Sequence, residues 1–334
     1  MSKPTISDLA RAAGVSVTTV SHAFSGRRHV DPDTRRRIQD LAAQMGYHPS
    51  SMARALRSGR TGTIALASSM PFAVAAGPSR LGFLMEIAAS AAMSALSRDL
   101  ALCLIPPHPT AQASSAAGFD GVILVEPMRD DPMVAHFEAR NTPIVSIGTV
   151  PGRPDIPSVD IRSAETATLL LAHLAGQGCR HIAALIGTSP RTSQIEGEAA
   201  YRAFVADHAL PATLDHLDEA GGEEAGYRAT LRLLGAEPGI DGIFAAIDAF
   251  ASGAVRAAHD LGREIPAQLR IVTRYDGLRA KLSQPPLTAV DLHLPAVAEQ
   301  AVQLLLSRIE GAGGRALAKV PELVPRRSST ASAG

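Results

Sequence analysis

The stretch GVSVTTVSHAFSG, residues 14–26, gathers hydroxyls, one histidine and β-branched side chains. Thr18, Ser21 and His22 can each donate or accept a hydrogen bond, and Val17 offers methyl groups. A set like this can read a pattern of polar atoms and methyls, such as the edge of a base pair, if one element holds it on one face. Ser16 is a good N-cap, and Val17 to Phe24 suits a short helix. Val20, Ala23 and Phe24 fall on its inward side, which leaves Val17, Thr18, Ser21 and His22 facing out.

The neighbouring segments supply helices for that one to pack on. Thr5-Ile6-Ser7-Asp8 has the form of a capping box, followed by Ile6, Leu9, Ala10 and Ala13 at helical spacing and a stop at Gly14. Asp31-Pro32-Asp33 opens a third helix, which carries Ile38, Leu41, Ala42 and Met45 and closes at Gly46. Three helices with one tight turn between the first two predict a helix-turn-helix head. Charge agrees: residues 1–60 hold ten Lys or Arg against four Asp, a net +6 in a chain whose 334 residues sum to zero. A basic head on an acidic body fits a nucleic-acid partner. Phosphate attraction would come from Arg11, Arg27, Arg28, Arg54 and Arg57, which flank the stretch that itself lacks Lys and Arg.

Enzyme readings find little to stand on. The sequence holds no GxGxxG, no GxxxxGK followed by Ser or Thr, no HExxH and no GxSxG. Its histidines show no ligand spacing, so neither a metal nor a cofactor is expected. Cys103 and Cys179, 76 positions apart, make no disulfide framework and sit among apolar residues. Asp130-Asp131 reads as a solvated pair at the start of a surface helix. A polar N-terminus and the absence of a long apolar run predict a cytoplasmic chain away from membranes.

From Thr63 onward, short apolar runs (63–68, 100–105, 121–126, 143–148, 181–187, 242–247, 269–273 and 287–292) alternate with amphipathic stretches (81–98, 163–176, 196–209, 249–262 and 295–310). This is the βαβ rhythm of doubly wound parallel sheets, enough for two such halves with a ligand cleft between them.

Residues 5–66 together, including Tyr47-x-Pro49 and ARALRSGRT, resemble the head and hinge of the lactose/galactose repressor (LacI/GalR) family in order and spacing. The segments FAAIDAFASGAVRAAHDLGREIP, VTRYDG and PELVPRRSS continue that resemblance more weakly. It implies three parts: an all-α helix-turn-helix head at 1–49, a hinge helix at 50–61, and an α/β body at 62–330 like periplasmic binding proteins. It further implies that Val17, Thr18 and His22 touch base edges, while Ser16, Thr19 and Ser21 help to hold phosphates. The hinge SSMARALRSGR is too short to stand as an isolated helix in water and is expected to fold on DNA. The resemblance makes Leu56 its minor-groove wedge. The expected molecule is a repressor, a homodimer or tetramer on a pseudo-palindromic double-stranded operator, controlled by a small-molecule effector. A solute-binding protein of the same body fold is the alternative.

The effector is the open point. Gly148 stands where many members of the family carry Asp, Gly197 where sugar and purine binders carry Arg, and Ile247 where an Asn would bond a ligand. These departures disfavour a simple sugar. Arg80 in GPSRLGF and Arg274 in VTRYDG add cations instead. They point to an anionic effector gripped by Arg80 with Arg191 or Arg274, its hydroxyls or an amine taken by Asp248 and Asp276. The plainer reading pairs Arg80 with an acid such as Glu86.

Overall fold

The computed structural model describes residues 4–25, 28–47, 60–71, 74, 82–105 and 118–330. The chain divides into two compact units between Thr61 and Gly62.

The first unit holds helices α1 (Ile6–Ala13), α2 (Val17–Ser25) and α3 (Pro32–Met45). At the start of α1 the Thr5 hydroxyl accepts from the Asp8 amide at 3.3 Å, and the Asp8 carboxylate accepts the Thr5 amide at 3.0 Å. Gly14 ends α1 in the left-handed region at φ 65°, which a Cβ would disfavour. The turn to α2 is therefore only three residues long. Leu9, Val20 and Ile38, one from each helix, are fully buried. Phe24 and Tyr47 close the core with ring centres 6.2 Å apart. Arg37 of α3 donates to the Ala13 carbonyl at 3.2 Å and so fastens the end of α1.

In the second unit the first lobe is a six-stranded sheet. Its strands are β1 (Thr63–Ala67), β2 (Ala101–Ile105), β3 (Gly121–Val125), β4 (Ile144–Ile147), β5 (Ser158–Asp160) and β11 (Arg315–Leu317), in spatial order β11-β5-β4-β3-β1-β2. The second lobe is a four-stranded sheet of β6 (Ile182–Gly187), β7 (Thr213–Leu217), β8 (Gly242–Ala245) and β9 (Arg270–Thr273), in order β7-β6-β8-β9. Every pairing in both sheets is parallel. Helices cover both faces, so both must be apolar. On β1 and β3, Ile64, Leu66, Ile123 and Val125 face the core under α4 (Phe83–Leu96). The alternate residues Ala65, Ala67, Val122 and Leu124 face Met133, Val134 and Phe137 of α5 (Pro132–Glu138). The remaining helices are α6 (Ser163–Gly176), α7 (Thr192–Asp207), α8 (Gly222–Ala236), α9 (Asp248–Asp260), α10 (Leu278–Leu282) and α11 (Leu294–Ile309). The antiparallel pair β10 (Ala289–Asp291) and β12 (Glu322–Val324) completes the body.

The chain passes between the lobes three times, at residues 160–163, 291–294 and 317–322. The first two crossings share one design. Asp160 and Asp291 each accept the amide two residues on, from Arg162 at 2.9 Å and His293 at 2.7 Å. Both of those residues are left-handed, at φ 55° and 52°. Their side chains bond the third crossing, Arg162 to the Ala318 carbonyl and His293 to that of Val320.

Asp131 overturns one expectation. Only 3% of it is exposed, and it accepts from the amides of Met128 and Met133 and from the Ser69 hydroxyl. The residue caps α5 and ties two loops together, which requires burial. Cys179 is fully buried, and burial pushes its thiol up to about 11. Cys103, on edge strand β2, is only half-buried. Among the described residues no helix is long and apolar enough to cross a membrane, and no group of three or more His, Cys, Asp or Glu could hold a metal.

Helices α8 and α9 touch backbone to backbone. A Cβ on Gly253 would stand 2.1 Å from the Glu223 carbonyl oxygen, and one on Gly226 would stand 2.4 Å from that of Phe250. Gly253→Ala should therefore lower the stability of the body by about 1–3 kcal/mol, measured by denaturant unfolding. A change within a few tenths of a kcal/mol would contradict this packing.

Candidate functional site

Two sites emerge, one in each unit. On the head, the Ser16 hydroxyl accepts the Thr19 amide at 3.0 Å, and the two hydroxyls bond to each other at 2.8 Å. Ser16 and Thr19 thus shape the start of α2. Val17 is 44% exposed and Thr18 is exposed, while Val20 and Ala23 are buried beneath them. Ser21 and His22 are half-buried at the rim of this face. The Nδ1 atom of His22 is buried and finds no hydrogen-bond partner among the described residues. Arg28 is exposed just beyond the helix. The face is thus small, mixed in character and free of acids, as groove contact requires. Arg54, Leu56 and Arg57 lie outside the described residues.

In the body, the carboxyl ends of the two sheets face each other across a narrow cleft. Such ends are where ligands of parallel sheets sit. Apolar walls come from Met70, Val74, Phe83 and Ile247, and polar ones from Glu126, Arg191, Gln194, Glu219, Asp248 and Arg274. Phe83 and Tyr275 meet edge to face at 5.4 Å, and the Arg274 guanidinium lies 5.5 Å from the Phe83 ring centre.

The charged groups are buried, and each has a partner. Glu126 follows β3 and Arg274 follows β9, so they belong to different lobes. They form a two-point ion pair at 2.5 and 3.3 Å. Ser193 donates to the same carboxylate at 2.9 Å. Arg191, 2% exposed, donates to the Glu126 carbonyl and to the Ser69 hydroxyl, and stands 3.4 Å from Glu219. Burial pushes the Glu219 carboxyl up, and the charge of Arg191 opposes this. Burial likewise raises Asp248, with Arg279 at 3.4 Å opposing. Tyr275 donates to Glu86, and its phenol is raised chiefly by burial.

The structure places three of the five residues expected at the effector site, Arg191, Asp248 and Arg274, around one cleft. Asp276 does not line it, because its carboxylate is held by Arg326 at 2.5 Å and Lys281 at 3.6 Å. Arg80 lies outside the described residues. Of the cations expected to grip an anionic effector, Arg191 stands beside Glu219 and Arg274 is paired with Glu126. Glu86, the acid named as an alternative partner of Arg80, accepts from Tyr275.

Glu126, Gln194 and Glu219 were not anticipated. Glu126 also accounts for a departure noted above. Gly148, at φ 78°, carries no side chain, and a Cβ there would lie 3.6 Å from Glu126 Cγ. The acid at the end of β3 thus adjoins the end of β4 where the side chain is missing. Only the position of Glu126 at the carboxyl end of an apolar run marked it in the sequence.

Comparison with known proteins matches both parts of the chain. Residues 5–50 match the family of bacterial regulatory proteins of the lacI type, and residues 171–329 match a periplasmic binding protein-like domain. The ribose operon repressor of Halalkalibacterium halodurans is 30% identical over 315 residues, covering 92% of this chain and 90% of that one. The regulator CelR of Thermobifida fusca is 28% identical over 324 residues, covering 92% and 93%. The Lac repressor dimer bound to operator and an anti-inducer superposes with a TM-score of 0.82 at 23% identity, covering 99% of this chain and all of that one. A complex of CelR with cellobiose superposes at 0.71 with 25% identity, covering 98% of this chain and all of that one. A basic three-helix head, a two-lobed parallel-sheet body and a relative alike across nine-tenths of both chains lead to one statement: this chain belongs to the LacI/GalR family of bacterial transcription regulators.

Proposed function

We propose that the chain is a repressor that reads a pseudo-palindromic operator as a homodimer and is released or recruited by a compact, uncharged, hydroxyl-bearing effector. The observation that carries the effector class is the pairing in the cleft. Glu126, Glu219 and Asp248 each stand beside a guanidinium, of Arg274, Arg191 and Arg279, so an anion entering there would meet cations already paired with carboxylates. A hydroxyl both donates and accepts, and can bond a carboxylate and a guanidinium at once. The polar groups absent at Gly148, Gly197 and Ile247 have substitutes in Glu126, Arg191 and Gln194, so the case against a sugar weakens. A ribose repressor and a cellobiose-bound regulator among the relatives point the same way.

The head supplies the DNA function. Val17 would meet a thymine methyl, and Thr18 and His22 would bond base edges. Ser16, Thr19, Ser21 and Arg28 would hold phosphates, and Arg54, Leu56 and Arg57 would enter the minor groove. A second copy has a surface to cover: Met93 and Leu96 on α4 and Leu104 on edge strand β2 are large, apolar and at least half exposed. The non-enzymatic reading rests on Ser193. Its hydroxyl faces a carboxylate in the cleft, but Arg274 takes up that charge and leaves no free base to activate it.

Two measurements test this. In operator binding, affinity should fall steeply with salt. His22→Ala should change which operator is preferred, whereas Arg28→Ala should weaken all operators alike. An unchanged preference in His22→Ala would remove α2 as the reading element. In a thermal-shift screen of the full chain, neutral sugars or polyols should raise Tm. If only phosphorylated or carboxylated compounds do so, the effector class is wrong.

A further inference from the structure

The ion pair between Glu126 and Arg274 does more than line a cleft. It joins residues 148 positions apart that leave different sheets in different lobes. Glu126 is 5% exposed and Arg274 9%, so both charges are taken from water when the lobes meet. Each is held by the other with two contacts, and Ser193, also of the second lobe, adds a third bond to the carboxylate. Glu126 sits in the left-handed region at φ 46°, an uncommon conformation for a residue with a side chain.

We propose that Glu126 and Arg274 form an internal latch, an ion pair that itself holds the two lobes of the body closed. Separating the lobes would hydrate both charges. Removing one of them would leave the other buried and unpaired in the closed form, and would leave the open form untouched. The latch therefore biases an equilibrium between two arrangements of the body. It also filters effectors: one that comes between the pair must offer a donor to Glu126 and an acceptor to Arg274 together. This last consequence rests on the cleft being the effector site. The latch does not, and its test contains no ligand.

A reporter of closure lies at the rim. The Arg129 amide, in the first lobe, donates to the Pro190 carbonyl, in the second, at 2.9 Å. The Gly148 amide donates to the Val159 carbonyl at 2.9 Å wholly within the first lobe and serves as the control. Hydrogen exchange of the full chain is compared for wild type, Glu126→Gln and Arg274→Met, with circular dichroism to check folding. Glu126→Gln keeps the shape of the side chain and stands in should Arg274→Met fold poorly. Either change should speed exchange at Arg129 by about tenfold or more, within the usual range of coupling between sites, and leave Gly148 as it was. The double variant should exchange no faster than the singles. Unchanged exchange at Arg129 in a folded variant overturns the proposal. So does equal acceleration at Arg129 and Gly148, which would mark general loosening of the first lobe.

Discussion

A buried charge must be paired or must reach water, and the body is arranged around that demand. Six ionisable side chains meet in pairs where the two sheets end. Glu126 is neutralised by Arg274, Arg191 approaches Glu219, and Asp248 approaches Arg279. The first of these pairs bridges the lobes, so electrostatics and domain geometry are one problem here. Everything that places a charge in the cleft, from the end of β3 to the start of α7, also decides how closely the lobes can meet. Hydrophobic contact also joins the lobes, as where Phe83 meets Tyr275, but the ion pair is where buried charge spans the gap.

The head solves a smaller version of the same problem. In the proposed function it meets a polyanion through α2, a helix with no Lys or Arg, while positive charge sits at the exposed flank, as at Arg28. Capping by Ser16 and burial of Val20 and Ala23 fix the angle of α2. Exposed Val17 and Thr18 are left free to contact an external surface. A serine that begins a helix can also stand at the point where that helix presents its free amides to a phosphate.

Much of this was legible in the sequence. The span 163–176 was read to the residue as α6, because Ser163 and Gly176 bound an apolar run of helical length. The eight strands expected all exist, within two residues at each end. The losses have physical causes. Strand β7, TLDHL, lies at a sheet edge and buries only its ends, so no apolar run announces it. Strands β5, β11 and β12 are three residues each and owe their conformation to their partners. Helix α8 contains Gly226, which reads as a breaker but serves close approach to α9. In the cleft, Arg274 stood out as an unusual cation while its counter-charge did not. An acid after an apolar strand looks like the start of a solvated loop, and no local pattern reveals a partner 148 positions away. Asp131 was misread for the same reason.

The paired turns at Asp160–Arg162 and Asp291–His293 define the mechanics of the body. Two like turns, both bonded to the third crossing, act as pins set on one axle. Sliding of one lobe past the other would have to break both attachments at once, whereas rotation about the axle would bend each only slightly. The bonding at the crossings thus favours a swing over a slide. A change in the cleft would then reach the three crossings as a change of angle between the lobes.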